Sequence, residues 1–123
     1  MNYSIENCDK YIEVKQTGAG DIRVYVECID AVLEYKTWTP GTPVLVDQTK
    51  LDASLLTVND VQKIAALCGT HRKEAGSSKL AMLVARDLEF GMNRMWSVFV
   101  EDEWDVDVEV FKSKEQAVAW LTA

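Results

Sequence analysis

The sequence predicts an α/β domain of parallel strands joined by crossover helices, with the helices packed mainly on one face of the sheet. Three observations carry this. Residues 78–122 read as one unbroken strand–helix–strand–helix unit, and parallel strands need crossover helices. Val44-Leu-Val46 and Leu80 to Ala85 are apolar without alternation, the pattern of strands covered on both faces. Trp104, Val106, Val108 and Val110 instead alternate with Asp105, Asp107 and Glu109. One face of that last strand is wet, since a second helical layer there would bury unpaired carboxylates at a cost of several kcal/mol. Its acids also guard a sheet edge against pairing with another chain.

Along the chain, residues 3–6 and 10–16 read as two short strands about a turn at Asn7-Cys-Asp9. Gly18-Ala-Gly20 breaks the pattern and reads as a turn. Asp21 can then accept the first free N–H groups of a helix. Ile22, Val26, Ile29, Val32 and Leu33 recur at helical spacing and predict a helix to about Lys36, although Arg23-Val-Tyr-Val alone would pass as a strand. Thr39-Pro-Gly-Thr-Pro43 ends it.

After Val44–Val46 the strand is expected to close at Asp47-Gln-Thr. A loop over residues 50–56 leads to Thr57, a helix N-cap with Asp60 three residues on. Val58, Val61, Ile64, Ala65 and Cys68 form the apolar stripe of that helix, expected to run to about Glu74. Ala75-Gly-Ser-Ser78 follows, and Gly76 suits a left-handed residue. Asp87 opens a helix to about Glu101 whose buried stripe is predicted as Leu88, Met92, Met95, Trp96 and Phe99. Gly91 inside it costs roughly 1 kcal/mol against alanine and suggests close contact with a neighbouring backbone. Ser113, with Gln116 three positions later, caps a last helix sealed by Val118, Trp120 and Leu121.

The 123 residues suit one domain, and no apolar run approaches the ~18 residues of a membrane span. The N-terminus has no signal-peptide pattern, so the chain is expected in the cytoplasm. Twenty acids against 13 bases leave a net charge of −7, which excludes nucleic acid and disfavours anionic membrane surfaces. Cys8, Cys28 and Cys68 are too scattered for a disulfide framework or C-x-x-C motif and read as packed free thiols.

Three segments together resemble bacterial STAS-like (SpoIIAA-like) proteins: Lys79-Leu-Ala-Met-Leu-Val-Ala85, Phe90-Gly-Met-Asn-Arg-Met95 and Val110-Phe-Lys-Ser-Lys-Glu-Gln-Ala-Val-Ala-Trp-Leu121. A "YG-x-x-RM" helix and a terminal "F-x-x-x-x-x-A-x-x-WL" helix recur in that group. The Pro-Gly before the first central strand and the Asp closing it are also similar. The resemblance implies a right-handed strand–helix superhelix around a mixed sheet of about five strands, with helices chiefly on one side.

It also implies two styles of function. One is a phosphoprotein switch that binds a kinase partner, its serine in a "D-S-S-G"-type motif at the start of the second helix. Here that region reads Asp52-Ala-Ser54-Leu-Leu-Thr57, without the motif, so Ser54 and Thr57 are the phosphorylation candidates and Thr57 is explained as a cap. A phosphate would stand beside Asp52 and Asp60 with no arginine expected nearby. The other style, lipid carriage in the related CRAL-TRIO fold, needs a large apolar cavity that a chain of this length closes with difficulty.

For chemistry, His71 is the sole histidine and reads as a cation at a helix C-terminus, with Arg72 and Lys73 beside it. No G-x-S-x-G, P-loop, G-x-G-x-x-G or H-E-x-x-H occurs. The acidic run Glu101-Asp-Glu103, Asp105, Asp107 and Glu109 lacks the EF-hand order, so neither a metal nor a cofactor is expected. Asp47, closing a central strand, and Arg86-Asp87, closing its neighbour, are expected to converge at the carboxyl ends of the sheet, where open α/β sheets bind ligands. Arg94 lies near them in sequence. These four are the candidate ligand or partner contacts; the plainer account is an Asp47–Arg86 surface ion pair and an Asp87 cap.

The sequence therefore predicts a non-catalytic protein-interaction or regulatory module. The alternative is a domain that binds a small apolar ligand or lipid in a groove at the carboxyl ends of the central strands. An enzyme would need acid–base work from Asp47, Asp87 or His71, and no spacing supports a triad. Exposure of Trp38 or Trp104 would indicate a homodimer surface.

Overall fold

An N-terminal hairpin starts the sheet. The structure, a computed structural model, describes residues 1–71, 76–101 and 106–123. β1 (Asn2–Cys8) and β2 (Tyr11–Ala19) pair antiparallel, and Asp9 turns the chain with φ 54°, a conformation that Asp tolerates. There follow α1 (Ile22–Leu33), β3 (Val44–Asp52), α2 (Val58–Thr70), β4 (Ser78–Leu83), α3 (Asp87–Glu101), β5 (Val106–Phe111) and α4 (Lys114–Leu121). The five strands form one sheet in the order β1-β2-β3-β4-β5, every pair after the first being parallel.

Alternation along the strands divides the apolar residues between two faces. Val44 and Val46 lie in register with Leu80 and Met82 and meet the layer of α1, α2 and α3. Leu45, Ala81 and Leu83 point the other way and pack on Ala117 and Leu121 of α4. Of the four helices among the described residues, three thus cover one face, and α4 closes part of the other. Each large apolar side chain so enclosed contributes about 1.5–3 kcal/mol. α4 is held further by Lys114, whose Nζ lies 2.9 Å from the buried Glu13 carboxylate, and by Trp120, packed on Phe111 with the Lys79 ammonium over its ring.

β5 is an edge strand as predicted: Val106 and Val108 are buried, while Asp107 and Glu109 meet solvent. Trp104, Asp105 and the acids at 102 and 103 lie outside the described residues. Asp21, Thr57 and Ser113 cap their helices through the N–H groups of Arg23, Asp60 and Gln116.

Several expectations are corrected. β2 runs through Gly18 (φ 84°) to Ala19 instead of turning at Gly18-Ala-Gly20. It can therefore pair Thr17, Gly18 and Ala19 with Lys50, Leu51 and Asp52, which carries β3 well past Asp47. β4 begins two residues earlier than predicted and ends at Leu83. α1 stops at Leu33, and Tyr25 and Cys28 take the buried places, leaving Val26 exposed. α2 ends at Thr70 with His71 as its C-cap, not at Glu74, and Val58 in its first turn is exposed. The residues at 72–75 are outside the described set; Gly76 does adopt the left-handed φ of 67°.

The largest correction concerns α3. Its buried positions are Glu89, Asn93, Ser97 and Val100, and Leu88 is exposed. Met92, Met95, Trp96 and Phe99 flank this line instead of forming it. Gly91 is exposed, and a Cβ there would meet nothing within 4 Å, so it marks no close backbone approach.

Candidate functional site

A polar stripe on a buried helix face needs partners, because an unsatisfied buried polar group costs about 1–3 kcal/mol. β3 supplies them. Between the pairs Lys15↔Asp47 and Thr17↔Lys50 the strand carries one extra residue, a bulge. The Asp47 carboxylate fastens it by accepting from the Thr49 N–H (2.9 Å) and hydroxyl (2.7 Å). Gln48 stays on the helix side with Val44 and Val46, and beyond the bulge Leu51 turns inward in place of Lys50.

Gln48 is 3% exposed and is the hub of a chain of bonds. Its Nε2 donates to Gln16 Oε1 (2.8 Å) and to the Tyr25 hydroxyl (3.4 Å); its Oε1 accepts from Asn93 Nδ2 (2.7 Å). Asn93 Nδ2 also donates to the Glu89 carbonyl one turn back, and Gln16 Nε2 to the Cys28 sulfur (3.6 Å). Two strands and two helices are thereby joined through neutral side chains.

These residues form one corner of a cavity of about 160 Å³ between the sheet and the three-helix layer. Its floor is Val14, Val44, Val46, Leu80 and Met82. Its roof includes Ile29 and Val32 of α1, Ile64 and Cys68 of α2, and Met92 and Trp96 of α3. Among the described residues, no lining residue carries a charged side chain. Burial raises the Tyr25 hydroxyl above its ordinary value, raises the Cys28 thiol, and pushes the Cys68 thiol up to about 12. All three are protonated at neutral pH, so the cavity offers no thiolate nucleophile. The Tyr25 hydroxyl accepts from Gln48, but its own O–H has no acceptor among the described residues. Trp96 Nε1 is buried and likewise has no hydrogen-bond partner there.

Beside this corner lies a charged cluster. Glu89 is 1% exposed, yet its carboxylate takes Arg86 Nε and Nη2 (both 2.7 Å) and the Ala53 N–H (3.1 Å). Arg86 Nη2 also reaches Asp52 (3.1 Å). The Arg86 guanidinium holds the Glu89 carboxyl below the usual range. Asp52 is also lowered, chiefly by its bond with Ser54.

The expected convergence of Asp47, Arg86 and Asp87 is therefore corrected. Asp47 does not close its strand; it fastens the bulge, and the arginine's carboxylate partners are Asp52 and Glu89. Asp87 pairs with Lys112 of the β5–α4 connection. Arg94 is exposed on α3, where its carbonyl accepts from Ser97 Oγ. His71, the C-cap of α2, lies 3.5 Å from Asp30. Asp47, Asp87 and His71 each engage a different partner. Ser54 is exposed. Thr57 is occupied in a full capping box with Asp60. The absence of a nearby arginine is corrected too: one oxygen of Asp52 accepts from both the Ser54 N–H and Arg86. Trp38, half-buried, lines the cavity and presents no exposed dimer surface; Trp104 lies outside the described residues.

Sequence reasoning missed Gln16, Gln48, Asn93 and Glu89. The signal was present: Gln16 continues the inward series Ile12, Val14, and Gln48 the series Val44, Val46. Arg86 and Glu89 stand at the i,i+3 spacing of a helical ion pair.

A hairpin feeding a parallel sheet, with three helices on one face and the last on the other, defines an α/β domain of the SpoIIAA-like fold. A crystal structure of an uncharacterised protein of the DUF3478 family from Shewanella loihica PV-4, described as having a SpoIIAA-like fold, is similar over 98% of this chain and 92% of that one. The TM-score is 0.60 and the identity 24%. No protein-family model matches the chain, nor does any curated protein. No helix among the described residues is long and apolar enough to cross a membrane.

Proposed function

We propose that this domain is a non-catalytic receptor for a small apolar molecule, which it encloses between the sheet and the three-helix layer. The observation that carries this reading is a cavity of about 160 Å³ whose lining, among the described residues, is uncharged and mostly apolar, with Gln16, Gln48 and Asn93 grouped at one corner. Pockets for small molecules have this composition: mostly apolar lining with a few placed hydrogen-bonding groups. An engineered apolar cavity of about 150 Å³ stays dry and holds benzene. The size suits one ring or a short chain and argues against carriage of a whole lipid.

A second reading, a protein-interaction or regulatory module, draws on a different feature. Leu55 (72% exposed) and Val58 (54% exposed) stand at the carboxyl ends of the central strands beside Ser54 and Thr57. An apolar pair held out in solvent is a natural partner contact.

Native mass spectrometry of the protein from its own host, with cross-linking, separates the two. The receptor reading expects a retained small molecule that is lost in the cavity-filled variant Val32→Trp. A trapped protein partner, equally retained by that variant and lost from Leu55→Ser/Val58→Ser, favours the module.

A further inference from the structure

We propose that two copies of this chain associate through the outward face of α3, the helices lying antiparallel across a two-fold axis level with Asn93. α3 is amphipathic in reverse. Its inward line is Glu89, Asn93, Ser97 and Val100, three of them polar. Its outward line is Leu88, Gly91, Met95 and Val98, at spacings of three, four and three residues. At about 100° per residue these four fall within roughly 80° of the helix circumference, the narrow seam along which helices pair. Leu88 is 44% and Val98 62% exposed, Gly91 is exposed and Met95 is half-buried. A helix that packs only within its own domain carries polar residues on its outward face. Here the exposed charges of the helix, Asp87, Arg94 and Glu101, stand off one flank of the seam.

The seam matches itself, and so selects a copy of the chain as its occupant. Across a two-fold axis level with residue 93, Leu88 meets the partner's Val98, and Met95 meets the partner's Gly91. A methionine thus enters the gap left by a residue without a side chain; a Cβ at Gly91 would meet nothing within 4 Å in its own chain. Each pairing occurs twice, as an isologous interface requires. Parallel packing would instead set methionine on methionine and glycine on glycine, bulk against bulk and gap against gap. Antiparallel helices also bring opposite dipole ends together.

Area sets the strength. α3 has 15 residues and is about 22 Å long. Two such helices bury on the order of 1,000 Å² between them, the low end for specific association. The dimer is therefore weak, with a Kd on the order of 100 μM, and forms in concentrated solution. In dilute solution the chain is monomeric, and Gly91→Ala there registers helix propensity alone. The surface is separate from the cavity, and neither reading of the function depends on it.

Sedimentation velocity of the full chain, from about 10 μM to about 1 mM, reads the monomer–dimer equilibrium. Wild type is expected to dimerise within this range. Val98→Glu and Leu88→Lys should each weaken the dimer at least tenfold (roughly), since each carries a charge into an apolar seam. The double variant Leu88→Lys/Val98→Glu should recover to within about threefold of wild type, because positions 88 and 98 face each other across the axis and unlike charges then meet twice. General surface stickiness gives no such recovery. Both positions are exposed, and urea unfolding of each variant confirms that the monomer keeps its fold.

A chain still monomeric at about 1 mM would overturn the proposal and give the seam to a different protein. A dimer indifferent to Val98→Glu, or a double variant as weak as the single ones, would overturn it equally.

Discussion

Asn93 Nδ2 donates to Gln48 Oε1 at 2.7 Å, a bond between the third helix and the central strand made beneath the protein surface. It turns a helix face that looks solvent-facing toward the sheet. Glu89, Asn93 and Ser97 recur every four residues, and each finds a partner: Arg86 and the Ala53 amide, Gln48, and the Arg94 carbonyl. The cavity lies beside this line, and Gln48 and Asn93 are among its lining residues.

Removing one member of the network should be costly. Gln48→Leu leaves Gln16 Oε1 without its donor and Asn93 without its acceptor on β3, and we expect a loss of about 1–3 kcal/mol in urea unfolding. In a double-mutant cycle with Asn93→Leu, the second substitution should cost less than it does alone, since the bond is already gone. Strictly additive losses would show the two amides to be independent.

Arg86→Ala should destabilise by about 3 kcal/mol near neutral pH, because it leaves the buried Glu89 carboxylate without its cation. The Glu89 carboxyl is lowered in the folded state. Its pairing therefore stabilises fully above the unfolded carboxylate value of about 4.3 and is lost as the pH falls toward the lower folded value. The gap between wild type and variant should accordingly narrow between pH 6 and pH 3.5. A gap independent of pH would mean that the ion pair is not its source.

Gly91→Ala should stabilise the domain by about 0.5–1 kcal/mol. The position is an exposed helix interior with open space where the methyl group would go. A destabilised variant would reveal a contact made by this face.

Thr57→Ala removes a hydroxyl that accepts from the Asp60 N–H at 3.1 Å and should cost about 1 kcal/mol. Ser54→Ala, at an exposed side chain in the preceding loop, should change stability by less than about 0.5 kcal/mol. Equal losses at the two positions would contradict the capping assignment.

Much of the fold was legible because it depends on local rules. Two uninterrupted apolar runs marked the central strands, alternation from Val106 to Val110 marked the edge, and Thr57 and Ser113 marked helix starts. The cavity was not legible, because it depends on pairs formed across the fold. Asn93 and Gln48 are 45 residues apart, and no local pattern says that the two meet. Arg86 was placed at the right end of the sheet but with the wrong carboxylate. The β3 bulge makes Asp47 a local fastener, and the strand runs on until Asp52 meets the arginine. The stripe of α3 was misread because hydrophobicity alone selects Leu88 and Met92, whereas satisfied hydrogen bonds bring Glu89 and Asn93 inward.

The most direct test of the central claim is a crystal structure determined under xenon pressure. Apolar cavities of this size take up the gas. The account predicts xenon density enclosed by Val46, Leu80, Ile64 and Met92, with little movement of the surrounding side chains. A core with no xenon, in which Trp96 or Met92 has collapsed onto the sheet and filled the space, would contradict it.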